Sequence, residues 1–176
     1  MRASFAIAAC VVFIASQALA DVESGPTVGE PAPKLPAFGV VGSVEGKDVD
    51  YAAERKESPT VYLFVNPAQW SRPVARFMKE LDGKVTSAKS DAAVVAVWLT
   101  DDMAKTKQYL PIAQTSLKLS RTALAAFDGR TGPLEWGVNP NADLTVVVAD
   151  KGKVLAKFGF VSVNDTLVPR VLETLK

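Results

Sequence analysis

The chemistry open to this chain is narrow. A serine nucleophile needs a base to take its proton, most often a histidine, and the 176 residues include none. A cysteine nucleophile acts as its thiolate, and the single cysteine is Cys10. Ser71 opens a helical pattern, Ser-Arg-Pro-Val, with no lysine three residues on to serve as its base. Its expected role is a helix cap, worth about 0.5–2 kcal/mol. Without histidine there is no histidine-ligated metal site. The acids remain. Asp101 and Asp102 adjoin at a predicted helix start, where carboxylates complement the helix dipole. Asp128, Asp143 and Asp150 fall on loops at strand ends, but their spacing fits neither a calcium loop nor a phosphate loop. Gly129-Arg130-Thr131-Gly132 reads as a turn in preference to an anion cradle. Asn164-Asp165-Thr166 has the form of a glycosylation sequon, a form that chance also produces. No catalytic residue, no metal and no cofactor is expected. The tryptophans divide by context: Trp98 lies inside an apolar run and reads as core, Trp136 ends a short helical stretch, and Trp70 follows a strand end where it can be exposed.

Composition narrows the classes further. Lysine and arginine number 20 against 19 aspartates and glutamates, a net charge of +1. That balance argues against a nucleic-acid partner, which requires a basic face. Hydrophobic residues make up 48 %, enough to build a core in a chain of single-domain length.

Residues 1–20 carry Arg2, an uncharged apolar run from Phe5 to Ala15, and small residues at Ala18 and Ala20. This is the pattern of a secretory signal peptide cut between Ala20 and Asp21, which places the protein in the periplasm or outside the cell and leaves no membrane span. The apolar run is short of the ~20 residues that span a bilayer. Ile7-Ala8-Ala9-Cys10 also fits a lipobox loosely, with too few residues before the cysteine for an apolar region. Cleavage at Ala20 removes Cys10, so the exported chain would have no thiol and no disulfide, and its core alone would hold the fold.

The elements that must position any site follow from hydrophobic periodicity. Residues 21–34, with Pro26, Gly29, Pro31 and Pro33, read as an arm or linker before a domain over 35–176. Phe38–Val49 suits a loose hairpin. Thr60–Val65, Ala92–Leu99 and Leu144–Ala149 are continuous apolar runs, the pattern of strands buried on both faces. Val74, Phe77, Met78, Leu81 and Val85 form one helical stripe. A second helix is predicted from Asp101-Asp102 to about Leu117, kinked or divided at Pro111. Thr122–Phe127 is a weaker strand and 132–137 a short helix. Val154, Ala156, Phe158 and Phe160 alternate along a last strand, and a helix ends the chain with Asn164 or Asp165 as its cap. Apolar strands separated by amphipathic helices predict an α/β fold with a mixed central sheet and helices on both faces.

Six short motifs in this order resemble the thioredoxin-like superfamily in its redoxin or peroxiredoxin-type form, which carries an extra segment before the closing β-hairpin and C-terminal helix. Val28-Gly-Glu-Pro-Ala-Pro33 is similar to that family's VGxxAP opening, and Gly46-Lys47 to its next turn. Ala68-Gln-Trp-Ser-Arg-Pro-Val74 is similar to AxWCxPC. Phe127-Asp-Gly129, Trp136-Gly-Val138 and Thr145–Lys153 are similar to the turn of the extra segment, to YGV and to TxFLIDxdGk. The resemblance spans about residues 28–175.

The departures bear on function. The first redox cysteine of WCxxC falls on Ser71 and its partner on Val74. In the peroxiredoxin pattern FxPxxxTxxC, read from Pro67, the cysteine position is again Val74. The proline that borders the family's site falls on Leu144, with Pro140 four residues earlier on a loop. The resemblance thus implies a redox-inactive binding or scaffold protein whose protein or peptide partner docks on Trp70, Ser71, Arg72, Pro73 and Val74 together with Leu144 and Thr145. The alternative is an enzyme of a non-thiol class in the same cleft, for which the sequence organises no constellation; a third is a thiol oxidoreductase by fold resemblance only.

Overall fold

A computed structural model describes residues 21–176. The proposed signal segment, its cleavage site and Cys10 lie outside the described residues or at their boundary. The sheet has seven strands in the order β2-β1-β5-β4-β3-β6-β7. They are β1 (Pro36–Val41), β2 (Asp48–Asp50), β3 (Thr60–Val65), β4 (Ala93–Thr100), β5 (Thr122–Asp128), β6 (Leu144–Asp150) and β7 (Lys153–Phe160). β3, β4 and β5 run parallel, while β6 returns antiparallel beside β3 and β7 beside β6. The sheet is mixed, as the element order requires.

Helices lie on both faces, unevenly. α2 (Arg72–Ala88), α3 (Met103–Leu117) and α4 (Val168–Glu173) all pack on the face formed by Val61, Leu63, Val65, Val94, Ala96 and Trp98. Two right-handed crossovers in the same direction, β3 to β4 and β4 to β5, put α2 and α3 on one side. The other face, with Tyr62, Phe64, Val95 and Val97, is covered by Tyr51 of the one-turn α1 (Tyr51–Glu54) and by Trp136 on a 3-10 turn (Leu134–Trp136). Burial leaves the Tyr51 hydroxyl without a partner and pushes its pKa up to about 12. Among the described residues no helix is long and apolar enough to cross a membrane.

The segment 21–34 is tied down along its length. It runs over β6 and the β7 edge as a strap: Val22 N–H donates to Gly159 O at 2.8 Å, Gly29 N–H to Val154 O at 2.8 Å and Ala32 N–H to Gly152 O at 2.8 Å. Ser24 is buried, with its hydroxyl 2.6 Å from that of Thr145. Gly159 has to be glycine, because a Cβ there would collide with the Val22 carbonyl oxygen. The strap thus covers an edge strand that would otherwise present unpaired backbone groups.

Two local expectations are corrected. The pairing of β6 with β7 skips Leu155, since Val148 faces Ala156 and Ala149 faces Val154. This bulge sends Val154 to the Trp136 face while Ala156, Phe158 and Phe160 stay on the helix face, so the four do not share one side. Pro111 neither divides α3 nor ends it; the proline lies on the exposed side, and the helix continues to Leu117.

Candidate functional site

The site predicted from Trp70 to Val74 lies where β3 ends and α2 begins. Asn66 starts a 3-10 turn (Pro67–Gln69), its Oδ1 accepting from Ala68 N at 3.0 Å. Trp70 leaves that turn in an extended conformation, and Ser71 follows at φ −143°. Ser71 occupies the N-cap position of α2, but its side chain caps nothing: Oγ accepts no bond from the helix. The expected cap is therefore corrected to a purely backbone one, Ala75 N–H to Ser71 O at 2.9 Å. Pro73 takes the first turn, where its missing N–H is harmless.

Trp70 is half-buried and held on two sides. Its ring packs at 5.1 Å and 59° against Trp98 of β4, and its Nε1–H donates to Tyr109 Oη of α3 at 2.7 Å. The Trp70–Tyr109 bridge separates two grooves. One, of about 460 Å³, is lined by Trp98, Thr100, Asp101, Asp102, Lys105 and Thr106 beside the bridge. The other, of about 380 Å³, lies between α2 and α3 and is lined by Arg72, Ala75, Ile112, Ala113 and Leu117.

The carboxylates at the first groove are already engaged. Asp102 caps α3, its Oδ1 accepting from Lys105 N at 3.0 Å. Asp101 pairs with Arg130, whose Nε donates at 2.8 Å, and this hydrogen bond holds the Asp101 carboxyl below the usual carboxylate range. Thr100 Oγ1 accepts from Asp102 N and from Thr106 Oγ1, both at 3.0 Å. These bonds assemble a fixed rim, with no nucleophile beside a base. Asp150 pairs with Lys89 at 2.7 Å, Asp143 has its carboxyl pushed up by desolvation, and Asn164 Oδ1 accepts from Thr166 N at 2.9 Å. Among the described residues, no three His, Cys, Asp or Glu side chains gather as a metal-binding group.

The predicted docking set is only partly at the surface. Ser71, Arg72 and Pro73 are exposed and Trp70 is half-buried, but Val74, Leu144 and Thr145 are 2 %, 1 % and 1 % exposed. Val74 and Leu144 belong to the core under α2. Thr145 points to the other face and is spent on Ser24. Leu144 and Thr145 also sit on a strand paired on both sides, to β3 and β7, so no backbone edge is free there to take a peptide. Burial withdraws Val74, Leu144 and Thr145 from the contact surface. Tyr109 and Ile112 were not singled out by sequence. Their signal was an apolar pair three residues apart on α3, displaced from the buried positions Leu110 and Ala113.

No protein-family model and no curated protein matches the sequence. Solved structures do. A chain from Chlorobium tepidum assigned as a thiol:disulfide interchange protein DsbE is 18 % identical with a TM-score of 0.61, covering 88 % of this chain and 99 % of its own. A secreted thiol-disulfide isomerase from Corynebacterium glutamicum is 13 % identical with a TM-score of 0.59, over 81 % and 84 %. The exposed lipoprotein thioredoxin of Streptococcus pneumoniae is 16 % identical with a TM-score of 0.55, over 80 % and 98 %. At such identities the likeness speaks for architecture, and the activities in those names stay with those proteins. The chain has the thioredoxin-like fold.

Proposed function

We propose that this is an exported, redox-inactive thioredoxin-like protein that binds a protein or peptide partner through the surface around Trp70. The observation that carries this reading is the state of the α2 start. Ser71 and Val74 occupy the positions at which the resemblance would put redox cysteines, and no thiol exists from residue 21 onward. Beside them Trp70 is fixed by Trp98 and Tyr109 between two grooves. A rigid, half-buried aromatic beside open grooves is a common anchor of binding surfaces. Secreted and lipoprotein proteins among the structural neighbours support export, as does the signal-like pattern of residues 1–20 with its cut after Ala20.

Two measurements test the reading. Purified protein incubated with insulin and a thiol reductant, or with peroxide, is expected to turn over neither; turnover would overturn redox inactivity. Cross-linking in the extracytoplasmic fraction is expected to yield partners lost with Trp70→Ala and retained with Leu155→Ala, an exposed residue on β7. Loss in both variants, or in neither, removes Trp70 as the anchor.

A further inference from the structure

We propose that the groove between α2 and α3 receives Leu134 from a second copy of this chain. The proposal rests on the reading above and names an occupant for the α3 side of the same surface. Leu134 and Ile112 are the most exposed large hydrophobic residues described, at 94 % and 65 %. They have complementary forms. Leu134 is a knob. It stands on a 3-10 turn between Pro133 and Trp136, and Trp136 is fully buried, packed at 5.1 Å on Tyr62 and 4.9 Å on Phe64, with its Nε1–H donated to Lys34 O at 2.9 Å. The leucine is thus held out from a rigid base, and little conformational freedom is lost when it docks. Ile112 is a wall, lining the groove of about 380 Å³ with Trp70, Ala75, Ala113 and Leu117.

The two surfaces carry opposite charges. Arg72 stands at the groove, and Glu135 follows the knob residue directly. Both are exposed, and among the described residues neither joins an ion pair. A seated Leu134 carries Glu135 to the rim that holds Arg72, so the apolar contact and the charge contact form together. Trp136 belongs to the core of one sheet face and the groove to the other. Two copies exchange knobs about a two-fold axis, or copies add head to tail with one copy's knob in the next copy's groove, and the mass reached at high concentration distinguishes the two.

Sedimentation equilibrium on protein purified after expression of the whole chain tests this. The weight-average mass is expected to rise with concentration through the ~100 µM range in which small interfaces associate. Leu134→Ala and Ile112→Ala remove only exposed side chains, so the fold is retained, and each is expected to weaken association about tenfold. Arg72→Glu and Glu135→Arg are expected to weaken it singly and to restore it together. A monomer at every concentration overturns the proposal, and so does association that survives Leu134→Ala unchanged. A protein that is monomeric but loses its cross-linked partners with Trp70→Ala refutes the knob and keeps the binding surface.

Discussion

The starts of α2 and α3 lie side by side at the same end of the parallel strands, and they are built in opposite ways. At α3, Asp102 caps the helix with its side chain, Thr100 receives the Asp102 N–H and the Thr106 hydroxyl, and Arg130 holds Asp101. At α2, Ser71 makes no cap bond, and the first turn holds Arg72 and Pro73 with no acid. α2 is anchored elsewhere, about three turns in. There the buried Asp82 accepts from Ser120 N and Oγ, from Arg121 N at 2.8 Å and from Thr122 Oγ1 at 2.7 Å. One helix is secured at its tip and the other through its body. The tip left without a side-chain cap is the one beside Trp70, where a partner would dock.

If that division holds, the largest loss comes from the body anchor. Asp82→Ala leaves two backbone N–H groups and the Thr122 hydroxyl with no acceptor at a site that is 4 % exposed. The expected cost is about 3 kcal/mol, read from urea unfolding. A cost below about 1 kcal/mol would mean that the α3–β5 loop finds other partners and that α2 is not held by this carboxylate.

The tip of α3 comes next. Asp102→Ala removes the bond to Lys105 N, with an expected cost of about 1 kcal/mol and faster hydrogen exchange confined to the first turn of α3. Tyr109→Phe removes the acceptor of the Trp70 indole N–H without touching the core. Its expected cost is smaller, about 0.5 kcal/mol because the bond is exposed, together with a change in Trp70 fluorescence. An unchanged spectrum would mean that the bridge does not fix the ring.

The same contrast separates what was legible in the sequence from what was not. β3, β4 and β6 announce themselves because burial on both faces demands unbroken apolar runs, and the α2 stripe from Val74 to Val85 is buried as its spacing predicts. These features are local, so the residues that make them are adjacent or one turn apart. The strap was legible only as a proline-rich linker, because its bonds to Gly159, Val154 and Gly152 use backbone N–H groups that every residue except proline has. Asp82 looked like any polar residue of a helix, since its partners lie 38 to 40 residues away. At the predicted docking surface, the motifs grouped Trp70 with Leu144 and Thr145, and the structure leaves Trp70 half-buried but buries the other two. Motif counting works along the chain, while register within the sheet decides which side chains reach water.

The smallest effect is the most informative about Ser71. A serine that caps costs about 0.5–2 kcal/mol to replace with alanine; the hydroxyl of this one makes no cap bond to α2. Ser71→Ala is therefore expected to leave stability within about 0.3 kcal/mol of the parent. Ser71→Asp is expected to stabilise by about 0.5 kcal/mol, because a carboxylate can accept from the free N–H groups of the first turn and complements the dipole that Arg72 opposes. Stabilisation by Asp that also abolishes partner cross-linking would show that the bare helix start is kept for binding at the expense of stability. Stabilisation with binding intact would show that the missing cap is incidental, and the functional surface would then contract to Trp70 and the side chains of α3.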